Sequence, residues 1–194
     1  MYRSEYSDSI KSLFIALFST AIVASCSTSS QDSVKIAEIA NNSGANWVSP
    51  AKTRFLVEMA DARMAGYEEG KIAAERGETP QVREYGKTMM LDQKILLAEI
   101  EDLALANDVI LPQGLSDSKK NGLNDLQKMS GKNLDRKFAS MIRSDHERDV
   151  RAFKKAGLGV TYTGDQGVYE FANERLVMIE DHLTKAIELE KQIK

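Results

Sequence analysis

Apolar residues recur along most of this chain at spacings of three, four and seven, the period of a helix that buries one face. Between residues 50 and 76 the recurring positions are Phe55, Met59, Ala62, Ala65, Ile72 and Ala73. Pro50 stands near the start and Gly77 just past the end, so this stretch is predicted as a first long helix. A second starts at Thr79-Pro80, an N-cap followed by a first-turn proline. It continues through Val82, Tyr85, Met89, Leu96, Ile100 and Leu103 to about Asn107. Ile110 to Gly114 breaks the pattern, after which Ser116 caps a shorter helix carrying Leu123, Leu126 and Met129. The third long helix covers about 132–156 with Leu134, Phe138, Met141, Ile142, Val150 and Phe153, and Gly157-Leu158-Gly159 closes it. After a loop from Thr161 to Gly167, a fourth takes Val168, Phe171, Ala172, Leu176, Ile179, Leu183, Ala186 and Leu189 to the C-terminus. No segment alternates with period two for long enough to form a strand, so the predicted class is all-α.

Helices of this length span roughly 35–40 Å, and short connections place successive ones antiparallel. The expected architecture is a four-helix bundle over 50–194, with the short extra helix in the link between the second and third long helices. A weak repeat accompanies it. Tyr85-Gly86 stands seven residues before Asp92-Gln93, and Phe138-Ala139 seven before Asp145-His146. Phe171-Ala172 stands ten before Asp181-His182.

The first 25 residues have a different pattern: Arg3 and Lys11 precede an apolar run from Ser12 to Ala24, as in a signal peptide. As a helix that run rises only about 20 Å, short of the roughly 30 Å hydrocarbon core of a bilayer. Val23-Ala24-Ser25-Cys26 resembles the lipobox of bacterial lipoproteins, in which the cysteine is lipidated and becomes the mature N-terminus. Residues 1–25 are therefore expected to be a leader. Residues 26–49, which open on Ser27-Thr28-Ser29-Ser30-Gln31-Asp32-Ser33 and hold one possible short helix from Val34, are expected to be a polar tether. The expected partner is a membrane, reached through Cys26. The expected location is the cell envelope, at the outer membrane and facing the periplasm.

Composition narrows the function. Lys+Arg 26 against Asp+Glu 29 gives a net charge of −3 without a basic block, which excludes an electrostatic footprint for nucleic acid. One Cys allows no internal disulfide, and two His are too few for a Cys/His zinc site. No phosphate-cradling glycine loop is present. Ser144 precedes Asp145-His146, but neighbouring positions on a helix face different ways, so adjacency makes no catalytic triad. The chain is read as a binding or structural module rather than an enzyme.

The candidate chemistry lies on the apolar stripes. His146 continues the line of Phe138, Ile142, Val150 and Phe153, and His182 that of Ile179, Ala186 and Leu189. Gln93 lies between Met89, Leu96 and Ile100. On the first helix Glu68 and Glu69 fall four residues after Met64 and Ala65, and Glu68 is taken as that helix's member. Glu68, Gln93, His146 and His182 are thus expected to form a buried polar layer fixing helix register. The rival expectation is a metal site for iron, manganese or zinc, with Glu68, His146, Asp149 and His182 as ligands. Spacing opposes a full di-iron version, because the residue three before His146 is Arg143 and the one three before His182 is Ile179. Asp149 stands one turn beyond His146. Met89, Met90, Met141 and Met178 are read as core filling.

The run from Phe138 to Phe153, with Leu134-Asp135-Arg136 before it, resembles the central motif of the bacterial domain-of-unknown-function 4142 family. So do Thr79-Pro80-Gln81-Val82-Arg83, Met89-Met90-Leu91-Asp92-Gln93 and the stretch from Phe171-Ala172 to Asp181-His182-Leu183. The resemblance implies a ferritin-like fold and an envelope setting, and brings no established reaction. As an alternative function it allows a metal-binding protein with a stress-response or metal-storage role. Two departures stand against a full ligand set: Gly66 where the family pattern has a Glu, and Gln93 where it has a His. A neutral amide for an imidazole and the loss of a carboxylate weaken a transition-metal site.

Overall fold

The computed structural model describes residues 32–44 and 47–193. The expected leader, the lipobox and Cys26 lie outside the described residues. Within them the protein is all-helical, with six helices and no strand: α1 (Ser33–Asn42), α2 (Pro50–Arg76), α3 (Pro80–Ala106), α4 (Asp117–Gln127), α5 (Gly131–Ala156) and α6 (Asp165–Gln192). None of these is long and apolar enough to cross a membrane. The four long helices, α2, α3, α5 and α6, fall within a few residues of the boundaries read from periodicity.

Local chemistry accounts for the ends. Pro50 and Pro80 occupy first-turn positions where a missing N–H costs nothing. The Thr79 hydroxyl accepts from the Val82 N–H at 3.4 Å and that of Ser116 from Lys119 N–H at 3.3 Å. Buried carboxylates then fasten turns to other helices. Asp135 on α5 accepts from the N–H groups of Glu78 and Thr79 at 2.8 and 2.9 Å, and Asp61 on α2 accepts from the N–H and hydroxyl of Ser116, both at 2.7 Å.

Packing builds two hairpins. In the first, α2 and α3 run against each other so closely that a Cβ on Gly86 would lie 2.6 Å from the Gly70 carbonyl oxygen. In the second, α5 packs on α6; α2 also packs on α5, and α4 lies over α2 and α5. Helix α1 packs on α2 with Ala37 buried, and Val48 is buried as well. Part of the stretch expected to be tether thus belongs to the fold, because Val34 and Ala37 present an apolar edge to the core near Phe55.

The core is divided in two. At one end Phe55, Phe153 and Phe171 meet with centroids 5.1–6.4 Å apart, beside Leu96, Ile100 and Ile179. At the other, Phe138 packs with Leu126, Leu134, Ile142, Val82 and Met89. Between these clusters each of the four long helices buries polar residues: Arg63 and Glu69 on α2, Gln93 on α3, His146 and Asp149 on α5, and His182 on α6.

Candidate functional site

The polar layer between the two apolar clusters is held by charge pairing as well as hydrogen bonds. Arg63 and Glu69 on α2 are each only 1% exposed. The Arg63 guanidinium donates to Asp149 Oδ2, and His146 Nδ1 lies 3.6 Å from the same oxygen. Burial alone would raise the Asp149 carboxyl, but Arg63 and His146 beside it hold it well below the usual carboxylate range. The two imidazoles face each other, with centroids 5.3 Å apart and planes at 47°. His182 Nε2 is 2.9 Å from Asp92 Oδ2, and the Tyr85 hydroxyl donates to the His182 carbonyl at 3.1 Å. Burial, and then His146, lower the His182 pKa against the pull of Asp92, so its neutral form is favoured.

Glu69 sits differently. Burial raises its carboxyl from 4.5 to about 7, against the opposing pull of Lys119 and Arg148, and its Oε2 has no hydrogen-bond partner. It forms part of the wall of a cleft of about 590 Å³ between α2, α4 and α5, with Ser118, Ser140, Ser144, Lys119, Lys137 and Arg148 around it. At the cleft's edge Asp145 takes Lys119 Nζ at 3.0 Å and also pairs with Arg148, which ties α4 to α5 over the buried layer. Burial lowers the Lys119 pKa, and Glu69 acts in the opposite direction.

The sequence-derived candidates are placed as follows. Gln93, His146 and His182 are buried at one level, and Asp149 joins them. Glu68 is half-buried; the α2 carboxylate inside is Glu69, because burial follows the line of fully buried Ala65 rather than that of partly exposed Met64. Gly66 and Gln93 are in contact: a Cβ on Gly66 would meet the Gln93 side chain at 3.1–3.3 Å. Gln93 therefore occupies room that a larger residue at 66 would take.

Arg63 and Lys119 carried no role in the periodicity, yet both are central. Arg63 does follow Leu56 and Ala60 by steps of four and three, which was the available signal.

These residues do not fit a ferritin-type metal centre. Arg63 places a permanent cation against the carboxylate that His146 and an ion would have to share, and its field reaches Glu69 and His182 as well. Among the described residues no three of His, Cys, Asp and Glu converge to hold an ion. What the arrangement offers is a buried layer joined through Arg63–Asp149 and His182–Asp92, in which Arg63 Nε and Nη1, Gln93 Oε1, both His146 ring nitrogens and His182 Nδ1 have no hydrogen-bond partner, with one protonatable carboxyl at the wall of a cleft that bears Lys119, Lys137, Arg148, Asp145 and three serines.

No curated protein and no solved structure matches the chain. The family model described as a domain of unknown function (DUF4142) matches residues 37–189, from the first packed helix to the last turns of α6, and the chain belongs to that family.

Proposed function

We propose that this protein is a lipid-anchored envelope module, held through Cys26 at the outer membrane on its periplasmic side, whose ferritin-like four-helix bundle binds a small anion in the Glu69 cleft. Support for the anchor comes from the lipobox-like Val23-Ala24-Ser25-Cys26 and the polar residues after it. Support for the ferritin-like reading comes from two facing helical hairpins with a polar layer at mid-height.

One observation carries the ligand assignment: a carboxyl that is almost wholly buried, protonated up to about pH 7 and short of a partner, on a cleft bearing Lys119, Lys137 and Arg148. In its neutral form Glu69 donates a hydrogen bond, as do the three serine hydroxyls, while Lys137 supplies charge and an anion competes with Asp145 for Lys119 and Arg148. Such a set suits an acceptor-rich anion of the carboxylate or phosphate class.

Thermal unfolding of the full chain with inorganic phosphate or citrate tests this reading. Ligand at about 100 times its Kd stabilises by about 2.7 kcal/mol. That gain should fade above pH 7 and vanish in Lys119→Ala. No stabilisation by either anion refutes the assignment. Stabilisation by a divalent transition metal that His146→Ala abolishes would instead establish the metal-binding alternative.

A further inference from the structure

At one end of the helices, where α2 begins, α3 and α5 end and α6 begins, the surface changes character. Of the eleven large apolar side chains that stand exposed among the described residues, six are here: Trp47, Leu105, Ile110, Leu158, Val160 and Tyr162. Leu158 is 72% exposed and Trp47 60%. The three connections at this end, residues 43–49, 107–116 and 157–164, contain a single charged residue, Asp108, in a chain that is 28% charged. The short turns at the opposite end carry Glu78 and Lys128 within three residues each.

The loops form one surface rather than three. The Trp47 carbonyl accepts from Gly164 N–H at 2.9 Å, its N–H donates to the Asn107 carbonyl at 3.4 Å, and its indole N–H donates to Asp108 Oδ2 at 2.9 Å. Ile110 N–H donates to Asn41 Oδ1 at 2.9 Å, which joins α1 to the same surface.

We infer that this end of the protein is a membrane-seating surface, its Trp47, Tyr162, Leu158 and Val160 entering the headgroup boundary of a lipid bilayer. A tryptophan and a tyrosine among aliphatic side chains, on loops with one charged residue and rimmed by Arg54, Lys155, Glu38 and Glu58 of the adjoining helices, is the composition that settles at a lipid–water interface. The inference rests on the anchor proposed at Cys26, and the chain length agrees with it. Five residues, or six backbone steps, separate Cys26 from Asp32 and reach at most about 20 Å. Asp32 accepts from Asp117 N–H beside Ser116, which Asp61 holds. Asp61 lies eleven residues along α2 from Pro50, or about 17 Å from this end. A lipid on Cys26 therefore keeps the surface within reach of the bilayer, and one acyl chain alone binds only marginally without such a second contact.

The test uses two features of the sequence: Trp47 is the only tryptophan and Cys26 the only cysteine. The chain from Cys26 onward, which contains every helix described, is coupled through its thiol to maleimide lipid in vesicles of phosphatidylethanolamine and phosphatidylglycerol with brominated acyl chains. Trp47 emission should shift to the blue, and it should be weaker than in the same vesicles with unbrominated chains, as expected for an indole at the bilayer interface. A Leu158→Asp, Val160→Asp variant with unchanged helical circular dichroism should lose both effects. Emission indifferent to bromination in the coupled protein overturns the inference, as does a blue shift that instead follows protein concentration without vesicles, which would make the occupant a second copy. Because coupling supplies the anchor chemically, a native Cys26 found without lipid would defeat the anchor and leave this measurement standing.

Discussion

Glu69→Gln isolates the one buried carboxyl whose proton is held at neutral pH. In the unfolded chain this group titrates near 4.5, and in the folded protein near 7. Between those values the native state holds a proton that the unfolded state has lost. Glu69 therefore stabilises most below pH 4.5, and its contribution falls as pH rises to about 7. The difference of 2.5 pH units corresponds to about 3 kcal/mol at 1.36 kcal/mol per unit. Glutamine keeps the shape and cannot ionise. The stability of Glu69→Gln relative to the parent should accordingly rise by up to about 3 kcal/mol between pH 4.5 and 8, or about 2–4 °C in Tm per kcal/mol for a domain of this size. Urea unfolding followed by far-ultraviolet circular dichroism at several pH values measures it. His182, whose pKa is lowered, pulls the parent's profile the other way, since its contribution is present above 6.5 and fades on acidification below it. Only the difference between variant and parent is therefore diagnostic. A difference that stays flat with pH would show that Glu69 is ionised and solvated, and would remove the protonated donor from the cleft.

Further consequences can be measured on the same protein. Phe138→Ala and Phe153→Ala each remove a fully buried ring from one of the two apolar clusters, and each should cost about 3–5 kcal/mol in urea unfolding. His146→Leu and His182→Leu, whose rings stand 5.3 Å apart, should depart from additivity by more than about 0.5 kcal/mol in a double-mutant cycle, and additive losses would show that the rings act separately. Asp61→Ala frees the N–H and hydroxyl of Ser116, so amide exchange in α4 should speed up well ahead of exchange in α5. Acid should unfold the protein as pH falls below about 3.8, because Asp149 and Asp165, both held below that value, support the fold only while ionised; Asp149→Asn should shift that acid limb.

The helices were legible because apolar periodicity and end chemistry agreed. The stretch starting at Pro50 has both a first-turn proline and a stripe from Phe55 to Ala73, and the structure sets α2 at Pro50–Arg76. Helix α1 was harder, since ten residues with two isoleucines on the exposed side show only a faint pattern. Its attachment depends on pairs distant in sequence, such as Asn41 with Ile110, which periodicity does not encode. The same limit hides the crossing of α2 and α3. A Cβ on Gly86 would lie 2.6 Å from the Gly70 carbonyl oxygen, a closeness that the apolar stripes of the two helices do not encode.

The polar layer shows where a stripe stops being informative. A helix turns about 100° per residue, so Glu68 and Glu69 are separated by that angle, and the choice between them rested on whether Met64 or Ala65 marks the inner face. Ala65, which is on the apolar stripe, is fully buried and Met64 is partly exposed, so the carboxylate one turn after Ala65 is the one that faces inward. Arg63 was invisible for another reason: a charged residue on an apolar line signals burial only once its counter-charge is known, and Asp149 lies 86 positions away. Pairing of that kind decides the chemistry. Asp149 alone beside two histidines would suit a cation, whereas Asp149 already neutralised by Arg63 leaves the histidines in a closed layer. The proton-binding capacity at neutral pH then passes to Glu69, beside a cleft in which Asp145 pairs with Lys119 and Arg148 and Lys137 adds a further positive charge.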